Sequence, residues 1–393
     1  MNVRQGVPDL APYYSRFRVA ERLLLTGHSH QAWPDVSFEA QQRAWLDAAE
    51  FVDEKWERAA AQAAHVQAGF RRLLCDPDGD IALGQNTHEL VTRLLSALPL
   101  GDRPKLVTSD GEFHTIRRQL DRLAEAHLTI VKVAARPADT LADRLAAAVD
   151  DRTACVLVSS VLYQTAEIVP GLDIVARACD RHGAMLLVDA YHHLNVVPFD
   201  LRSLGLAGAF VTAGGYKYCQ LGEGNCFLRV PPGCRLRPVL TGWFSEFEAR
   251  DRAAGERVDY GSGAARFAGA TYDPSSHYRA AAVFAFHVEH GLTAERLREI
   301  SCAQVGLQKR EFESLDIDPA VARVEPMPDD RRAGFLALRC ARAGELSRAL
   351  RARGVFTDFR GDVLRLGPAP YLSDDQPRHA VQLLARAVAS DDT

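Results

Sequence analysis

Two residues that suit nucleophilic and acid chemistry stand 28 positions apart in the middle of the chain. Asp189 ends the apolar run Met-Leu-Leu-Val, and Lys217 follows the tripeptide Gly-Gly-Tyr. An aspartate that ends a buried strand needs a cationic or hydrogen-bonding partner, because burying an unpaired charge is costly. Burial also lowers the pKa of a lysine and makes its neutral amine a nucleophile. Alternatively, Asp189 caps the segment that follows it, and Lys217 is an ordinary surface lysine in a loop.

Lysine is rare in this sequence, which makes the position of Lys217 informative. Five of the 47 basic residues are lysines. A lysine and a buried acid are the two groups that a pyridoxal phosphate site needs. The lysine holds the aldehyde as a Schiff base, and the acid keeps the pyridine nitrogen protonated so that the ring accepts electrons. His192, three residues after Asp189, is the candidate partner of the cofactor's phenolic oxygen, with His193 as the alternative.

Strands and helices alternate on both sides of this stretch. Short apolar strands are predicted at 81–83, 105–108, 128–133, 155–160, 185–188, 209–212 and 225–230, and helices at 88–98, 115–126, 139–149 and 172–182. Alternation with helices of this length is typical of a doubly wound, mainly parallel sheet. Ligands in such sheets bind at the carboxyl ends of the strands, where Phe113, Tyr163 and Asp189 fall.

A second candidate binding element is the turn Gly-Gln-Asn-Thr that includes Asn86 and Thr87 and precedes a predicted helix. Backbone N–H groups, a hydroxyl and the positive end of the helix dipole would together bind a phosphate group there. The alternative is a plain N-cap by Asn86 or Thr87. From these residues alone the cap is the simpler interpretation.

The length of the chain allows one large domain with a smaller one. We expect residues 1–36 to be an N-terminal segment that contributes to the small domain and the active site. Residues 37–290 are expected to form the large cofactor-binding α/β domain, and residues 291–393 a small C-terminal α+β domain. The Ala-rich segment 37–73 is predicted to be helical throughout, since its apolar residues have helical spacing and it contains no proline. Residues 241–278 lack periodicity and are expected to be an irregular segment over the site.

Composition and charge disfavour several classes of partner. The 393 residues carry a net charge of −4 without blocks of like charge, so nothing favours nucleic acid or an anionic membrane. The eight cysteines are scattered without zinc-like spacing, which indicates reduced thiols and no metal site. The first residues lack the apolar core of a signal peptide, and no apolar run approaches the ~20 residues that span a bilayer. We therefore expect a cytoplasmic protein that acts on a small molecule.

The pattern Asp189-x-x-His192, followed by Gly215-Tyr216-Lys217, resembles the fold-type I pyridoxal phosphate enzymes of the class V aminotransferase group. Within that group the sequence is most similar to the kynureninases, over nearly the whole chain. The resemblance implies an α/β fold with a mainly parallel seven-stranded sheet in the large domain. It also implies that Lys217 carries the cofactor and is the catalytic residue, that Tyr216 contacts the phosphate, and that the protein is a homodimer with shared active sites.

Further positions match the family's motifs for the cofactor. Thr87, with Asn86, falls where the family binds phosphate, and Phe113 falls where it stacks an aromatic ring on the cofactor. Trp243, in the sequence Gly-Trp-Phe, is similar to a tryptophan that lies by the phosphate, often from the neighbouring subunit. Packing in the core or at a dimer interface is the alternative for Trp243.

The substrate side is assigned in the same way. Arg365, in Leu-Arg-Leu-Gly-Pro-Ala-Pro-Tyr, resembles the arginine that binds the substrate α-carboxylate, and a guanidinium is a good bidentate partner for that group. Since arginine is abundant here, a surface ion pair is the alternative. His28, in a polar turn near the N-terminus, is a further candidate for the substrate, an amino acid. The family's Ser-Asn-Pro-Pro segment is replaced by Ala-Thr-Tyr-Asp-Pro, where Thr271 is assigned to the cofactor and Asp273 to the substrate.

The resemblance implies a hydrolase. It would cleave the Cβ–Cγ bond of kynurenine, 3-hydroxykynurenine or a related γ-keto amino acid into L-alanine and an anthranilate-type acid. Transamination, β-elimination and desulfuration on the same fold are the alternatives. Desulfurases need a mobile cysteine near the carboxylate-binding arginine, and the loop before Arg365 has none. A non-catalytic binding protein with this fold is a further alternative, against which an intact Lys217 argues.

Overall fold

The computed structural model describes residues 9–249 and 257–389. The α-helices in these ranges are α1 (Val36–Phe51), α2 (Lys55–Leu73), α3 (Thr87–Ala97), α4 (His114–Ala124), α5 (Leu141–Ala147), α6 (Leu172–His182), α7 (Ser275–Glu289), α8 (Ala294–Glu313), α9 (Ala343–Ala352) and α10 (Asp375–Ala389). The strands are β1 (Leu23–Leu24), β2 (Asp80–Gly84), β3 (Lys105–Ser109), β4 (Thr129–Val133), β5 (Thr153–Ser159), β6 (Met185–Asp189), β7 (Phe210–Gly214), β8 (Cys226–Val230), β9 (Arg323–Val324), β10 (Leu336–Arg339), β11 (Val355–Phe356), β12 (Asp358–Arg360) and β13 (Val363–Leu366).

A seven-stranded sheet with the strand order β2-β8-β7-β6-β5-β3-β4 forms the centre of the large domain. Strand β8 is antiparallel to both of its neighbours, and the other strands run parallel to one another. The predicted fold class, α/β with a mainly parallel seven-stranded sheet, is therefore confirmed. The carboxyl ends of β5, β6 and β7 meet at one edge of this sheet.

The central strands are apolar on both faces because helices cover both faces. Every residue of β5 is buried. Val156 and Val158 pack into the cluster that includes residues of α2, α5, α6 and α7. Cys155 and Leu157 point to the opposite face, where residues of α3 and α4 cover them. This two-sided burial explains why β5 is a continuous apolar run rather than an alternating one.

A four-stranded antiparallel sheet with the order β12-β13-β10-β9 belongs to the C-terminal part of the chain. Helices α8, α9 and α10 share a hydrophobic cluster with it. The N-terminal segment joins this part, since β1 pairs in parallel with β11 and Thr26 bridges to Gly367. The domain boundaries given above stay predictions.

Two local expectations differ from the structure. Segment 37–73 is two helices, because α1 ends at Phe51 and the next residue, Val52, has a positive φ of 48° that cannot continue a helix. Both α1 and α2 pack against α7. A single straight helix over segment 37–73 would be much longer than α7 and could not pack against it along its whole length, so the chain turns between α1 and α2. Helix α7 begins at Ser275, so the last residues of the segment 241–278, which was expected to be irregular, are helical. None of the helices in the described ranges is long and apolar enough to cross a membrane.

Candidate active site

Lys217 follows β7 and supplies the buried amine of the site. The residue is 4% exposed, and Nζ lies 2.8 Å from Nε2 of His192. The amine also lies over the rings of Tyr191 and Phe113, 4.2 Å and 5.3 Å from their centroids. Burial lowers the pKa of the Lys217 amine to about 7, against the opposing effect of the Asp189 carboxylate. A large fraction of this amine is therefore neutral and nucleophilic near pH 7.

Asp189 is the last residue of β6, between β5 and β7 near the middle of the sheet. Its Oδ1 accepts a hydrogen bond of 2.8 Å from the backbone N–H of Tyr191. Burial raises the pKa of the Asp189 carboxyl above its ordinary value, because the charged form loses its hydration. A cationic N–H partner would stabilise the ionised form, and a protonated pyridine ring is such a partner.

Both residues line a cavity of about 270 Å³ at the carboxyl ends of the parallel strands. This is the place that a doubly wound sheet offers to ligands. The cavity collects seven of the predicted site residues, from four separate parts of the chain: Asn86, Thr87, Phe113, Asp189, His192, Tyr216 and Lys217. Among the described residues, no group of three or more His, Cys, Asp and Glu side chains is placed to hold a metal ion.

The N-terminus of α3 forms one end of the cavity. Asn86 is its N-cap, and Oδ1 of Asn86 accepts a hydrogen bond of 2.9 Å from the backbone N–H of Glu89. The buried hydroxyl of Thr87 lies 3.8 Å from Sγ of Cys226. Asn86 is thus a helix cap and a cavity residue at the same time, so the two interpretations of this turn are compatible.

The two consecutive histidines have different environments. His193 is held by polar partners away from the cavity, with Nδ1 3.2 Å from Oγ of Ser160 and Nε2 3.3 Å from the carbonyl oxygen of Pro198. His192 lines the cavity and contacts Lys217. Burial lowers the pKa of His192 well below its usual range, so its ring is neutral. Its Nδ1 is buried and has no hydrogen-bond partner among the described residues.

Phe113 precedes α4 and packs edge-to-face on Tyr163, with ring centroids 5.3 Å apart. Tyr163 connects the cavity with Arg365, since its carbonyl oxygen accepts a hydrogen bond of 2.6 Å from Nη1 of Arg365. Arg365 itself is buried, and its Nε donates to Asp358 over 2.8 Å. His28 lies next to them, with Nε2 2.6 Å from Oδ1 of Asp358. Arg365 and His28 do not themselves line the cavity, but Arg365 contacts its wall at Tyr163.

Three predicted residues lie outside the cavity of their own chain. Trp243 is half exposed, and its Nε1 donates a hydrogen bond of 3.2 Å to Oγ1 of the exposed Thr271. The carboxylate of Asp273 accepts from the backbone N–H of Ser275, the first residue of α7. The structure therefore does not bring these three side chains to Lys217 within one chain.

Glu112 and Asp358 are site residues that the sequence did not reveal. Both oxygens of the buried Glu112 carboxyl accept hydrogen bonds of 2.6 Å, from the hydroxyls of Ser109 and Ser159. Burial raises the pKa of Glu112 to about 7. Ser159 lies opposite Asp189 in the register of β5 and β6 and lines the cavity. The position of Glu112 directly before Phe113 was the available signal, whereas Asp358 has none in the sequence.

Comparison with known proteins places the chain among enzymes of related fold. A family model for the kynureninase C-terminal domain matches residues 297–384. The kynureninase of Bacillus thuringiensis subsp. konkukian (strain 97-27) is 27% identical over 337 residues, which are 80% of this chain and 75% of that protein. The uncharacterized aminotransferase YcbU of Bacillus subtilis (strain 168) is 23% identical over 343 residues, 87% of this chain and 88% of that protein.

Solved structures with this architecture include a mutant of C-DES with glycine covalently linked to its PLP cofactor. It superposes with a TM-score of 0.83 at 18% identity, over 96% of this chain and 99% of that chain. The cysteine desulfurase CsdA from Escherichia coli gives a TM-score of 0.77 at 16% identity, over 99% of both chains. These likenesses confirm the fold. The chain therefore has the architecture of the fold-type I pyridoxal phosphate enzymes, and its sequence similarity, as its motifs predicted, is to the kynureninases of the class V aminotransferase group.

Proposed function

We propose that the protein is a pyridoxal phosphate enzyme of the kynureninase type. It hydrolyses the Cβ–Cγ bond of kynurenine, 3-hydroxykynurenine or a related γ-keto amino acid, and it releases L-alanine and an anthranilate-type acid. The observation that carries the proposal is the buried Lys217 amine, which lines one cavity together with Asp189 and the N-terminal turn of α3. The similarity to kynureninases over 80% of the chain supports the substrate class.

The residues of the cavity fit this cofactor. The amine of Lys217 would hold its aldehyde carbon, and the carboxyl of Asp189 would pair with its ring nitrogen. Thr87 and Tyr216 line the cavity with α3, whose N-terminus suits a phosphate group. The unpartnered Nδ1 of His192 indicates that a further polar group belongs beside it, because buried polar atoms are rarely left unpaired.

When bound, pyridoxal phosphate supplies an electron sink that stabilises negative charge at the substrate Cα. The chain's own residues supply the rest. Arg365 orients the substrate through its carboxylate, Phe113 packs over the cavity, and the burial of the site excludes bulk water. The neutral amine of Lys217 takes the proton from the substrate Cα and returns it as the reaction proceeds. One water molecule adds across the cleaved Cβ–Cγ bond, which balances substrate against alanine and the aromatic acid.

Product analysis tests this proposal directly. Purified protein supplied with pyridoxal phosphate is incubated with L-kynurenine and, separately, with 3-hydroxy-L-kynurenine. We expect equimolar alanine and anthranilate, or alanine and 3-hydroxyanthranilate, and no product from the Lys217→Ala variant. Turnover of neither compound would remove the substrate class from the proposal.

Transamination is the second candidate, since one relative is named as an uncharacterized aminotransferase. An aminotransferase would convert the bound cofactor to its pyridoxamine form in the presence of an amino donor alone. A lasting loss of the cofactor's visible band after addition of amino acid, with restoration by a keto acid, would favour this function. Retention of the band during alanine release would favour the hydrolase.

We also propose that the protein is a cytoplasmic homodimer with shared active sites. Four apolar side chains of one surface segment are strongly exposed in the single chain: Val239 (79%), Leu240 (53%), Trp243 (51%) and Phe247 (43%). An exposed apolar patch of this kind marks an interaction surface. Sedimentation should give about twice the mass of the chain, and Leu240→Asp should shift the protein towards monomer.

All eight cysteines are free thiols, which suits a reducing compartment.

A further inference from the structure

The guanidinium of Arg365 is fixed by a carboxylate of its own sheet. We propose that Asp358, supported by His28, is a positioning residue that occupies one edge of this guanidinium and leaves the opposite edge for the substrate carboxylate. The inference rests on the proposed function, because it concerns how the same site holds its amino-acid substrate. It assigns to Asp358 and His28 a role in orienting Arg365 and no direct role in bond cleavage.

The backbone register fixes the relation between Asp358 and Arg365. Asp358 on β12 lies directly opposite Arg365 on β13 in the antiparallel pair. Nε of Arg365 donates to Oδ1 of Asp358 over 2.8 Å, and Nη2 donates to Oδ2. Because the register places the two side chains opposite each other, the carboxylate holds the guanidinium without any backbone rearrangement. The contact is therefore in place before a substrate binds.

The remaining hydrogens of the guanidinium define where a ligand binds. Arginine carries five N–H hydrogens in a planar fork. Asp358 accepts two of them, and the carbonyl oxygen of Tyr163 accepts one from Nη1. One hydrogen on Nη1 and one on Nη2 have no acceptor among the described residues. A pair of donors on neighbouring nitrogens matches the two oxygens of a carboxylate, whereas an amide offers one oxygen and an opposing N–H₂ group.

His28 also contacts Asp358, at the oxygen that accepts from Nε of Arg365. Its Nε2 donates to Oδ1 of Asp358 over 2.6 Å, and its ring packs on Phe335 with centroids 4.6 Å apart. The ring of Phe335 also lies 5.5 Å below the guanidinium of Arg365 and 6.1 Å from the ring of His192. Phe335 therefore joins the arginine to the histidine that contacts Lys217. This chain of contacts fixes the direction of the guanidinium relative to the reactive amine.

His28 acts as a neutral hydrogen-bond donor. Burial lowers the pKa of His28 to about 4, although the neighbouring carboxylate of Asp358 opposes the shift. With its proton on Nε2, the ring supports Asp358 without adding charge to the site. Substitution of His28 therefore changes the support of the carboxylate and leaves the charge near the substrate unchanged. This separates an effect of position from an effect of charge.

Binding of an unreactive carboxylate tests the proposal without relying on turnover. The probe is 4-oxo-4-phenylbutanoate, which has the aromatic γ-ketone and a carboxylate but no amine, and its partner is the corresponding amide. Titration calorimetry on the cofactor-loaded protein should show that the carboxylate binds wild type at least about tenfold more tightly than the amide does. Equal binding of the two compounds by wild type would overturn the inference.

Asp358→Asn is the decisive variant. The N–H₂ group of the new asparagine would face a guanidinium N–H of Arg365, so only one of the two hydrogen bonds between these side chains can form. We expect its affinity for the carboxylate probe to fall about tenfold and its affinity for the amide probe to stay unchanged. KM should rise by a similar factor, with kcat within about threefold. The matched control is Asp362→Asn, which removes the partner of Arg339 from the same hairpin (2.6 Å) and should leave both affinities unchanged.

His28→Leu and His28→Gln complete the set. Loss of the donor in His28→Leu should weaken carboxylate binding, and the donor restored in His28→Gln should recover most of it. Unchanged or tighter carboxylate binding by Asp358→Asn would overturn the inference, since Asp358 would then act only as a counter-charge. A protein that binds no pyridoxal phosphate would overturn the proposed function as well, so the two failures are distinguishable.

Discussion

Nζ of Lys217 lies 2.8 Å from Nε2 of His192, and both residues are at least 95% buried. Burial lowers the pKa of both groups. Near neutral pH the His192 ring is therefore neutral, and only part of the Lys217 amine is protonated. A neutral imidazole beside a partly neutral amine is an arrangement in which the amine can attack a carbonyl carbon and can also transfer protons. In this environment Lys217 can therefore perform both tasks that the proposed reaction requires of it, attack on the cofactor's aldehyde and proton transfer.

The pH dependence of cofactor binding should follow this amine. Because the pKa of Lys217 is lowered to about 7, the neutral amine accumulates as the pH rises through 7. We expect the rate at which cofactor-free protein develops its visible band with pyridoxal phosphate to rise through that range and then level off. Stopped-flow absorbance from pH 5.5 to 10 provides the measurement. A rate that keeps rising towards pH 10.5 would show an unshifted lysine.

Asp189→Asn should weaken the site without removing it. The amide keeps the shape of the carboxyl but cannot stabilise a protonated ring nitrogen, so the electron sink is lost. We expect kcat to fall by about 10² or more, with weaker retention of the cofactor on dialysis. Asp200→Asn is the control, since Asp200 caps an exposed turn. Equal activity of Asp189→Asn and wild type would contradict the role given to Asp189.

Gly214 tests the packing behind the cofactor cavity. A Cβ at Gly214 would lie 2.1 Å from Oη of Tyr191 and 2.5 Å from Sγ of Cys226, both of which are cavity residues. Gly214→Ala must therefore displace Tyr191 or the end of β7. We expect a loss of about 1–3 kcal/mol in the free energy of unfolding and weaker cofactor binding. At Gly208 a Cβ would meet no atom within 4 Å, so Gly208→Ala should leave both quantities unchanged.

Acid should destabilise the protein from about pH 6.5 downwards. Burial lowers the pKa of His28, His193 and His277 to about 4 and that of His287 to about 3. Between these values and the ordinary pKa of 6.5, the unfolded chain binds protons that the folded chain does not. The free energy of unfolding therefore falls with decreasing pH, by up to about 1.4 kcal/mol per pH unit for each histidine.

Urea titrations between pH 4.5 and 7.5 measure this dependence. His287→Gln should reduce the slope of the free energy of unfolding against pH by the equivalent of up to about one proton, because the buried ring no longer contributes. The control is His65→Gln, which replaces an exposed histidine and removes no buried ring. A slope that is the same for wild type and His287→Gln would contradict the account of buried neutral histidines.

Local sequence signals predicted much of the fold because they arise from local structure. The predicted helix 172–182 is α6, which is followed by Gly183 in the left-handed conformation that glycine adopts readily. The strand that ends at Asp189 is β6, a buried apolar run. The break after α1 was not predicted, since no glycine or proline marks Val52 and the bend follows the packing of α7.

The candidate site was predictable where a motif is contiguous and unpredictable where contacts form in three dimensions. Asp189, His192 and Lys217 lie within 29 residues, and the structure brings them to one cavity. The pairing of Asp358 with Arg365 depends on strand register, which the sequence does not display. The role of Trp243 rests on resemblance alone. Its side chain is half exposed and lies outside the cavity of its own chain, so a contact with the cofactor requires the proposed dimer.

The most direct test of the central claim is to reduce the protein with borohydride after incubation with pyridoxal phosphate and to locate the label by peptide mass spectrometry. The account predicts loss of the visible band and a single modified peptide that carries the cofactor on Lys217. A protein that gains no band, or a label confined to Lys55, Lys105, Lys132 or Lys309, would contradict it.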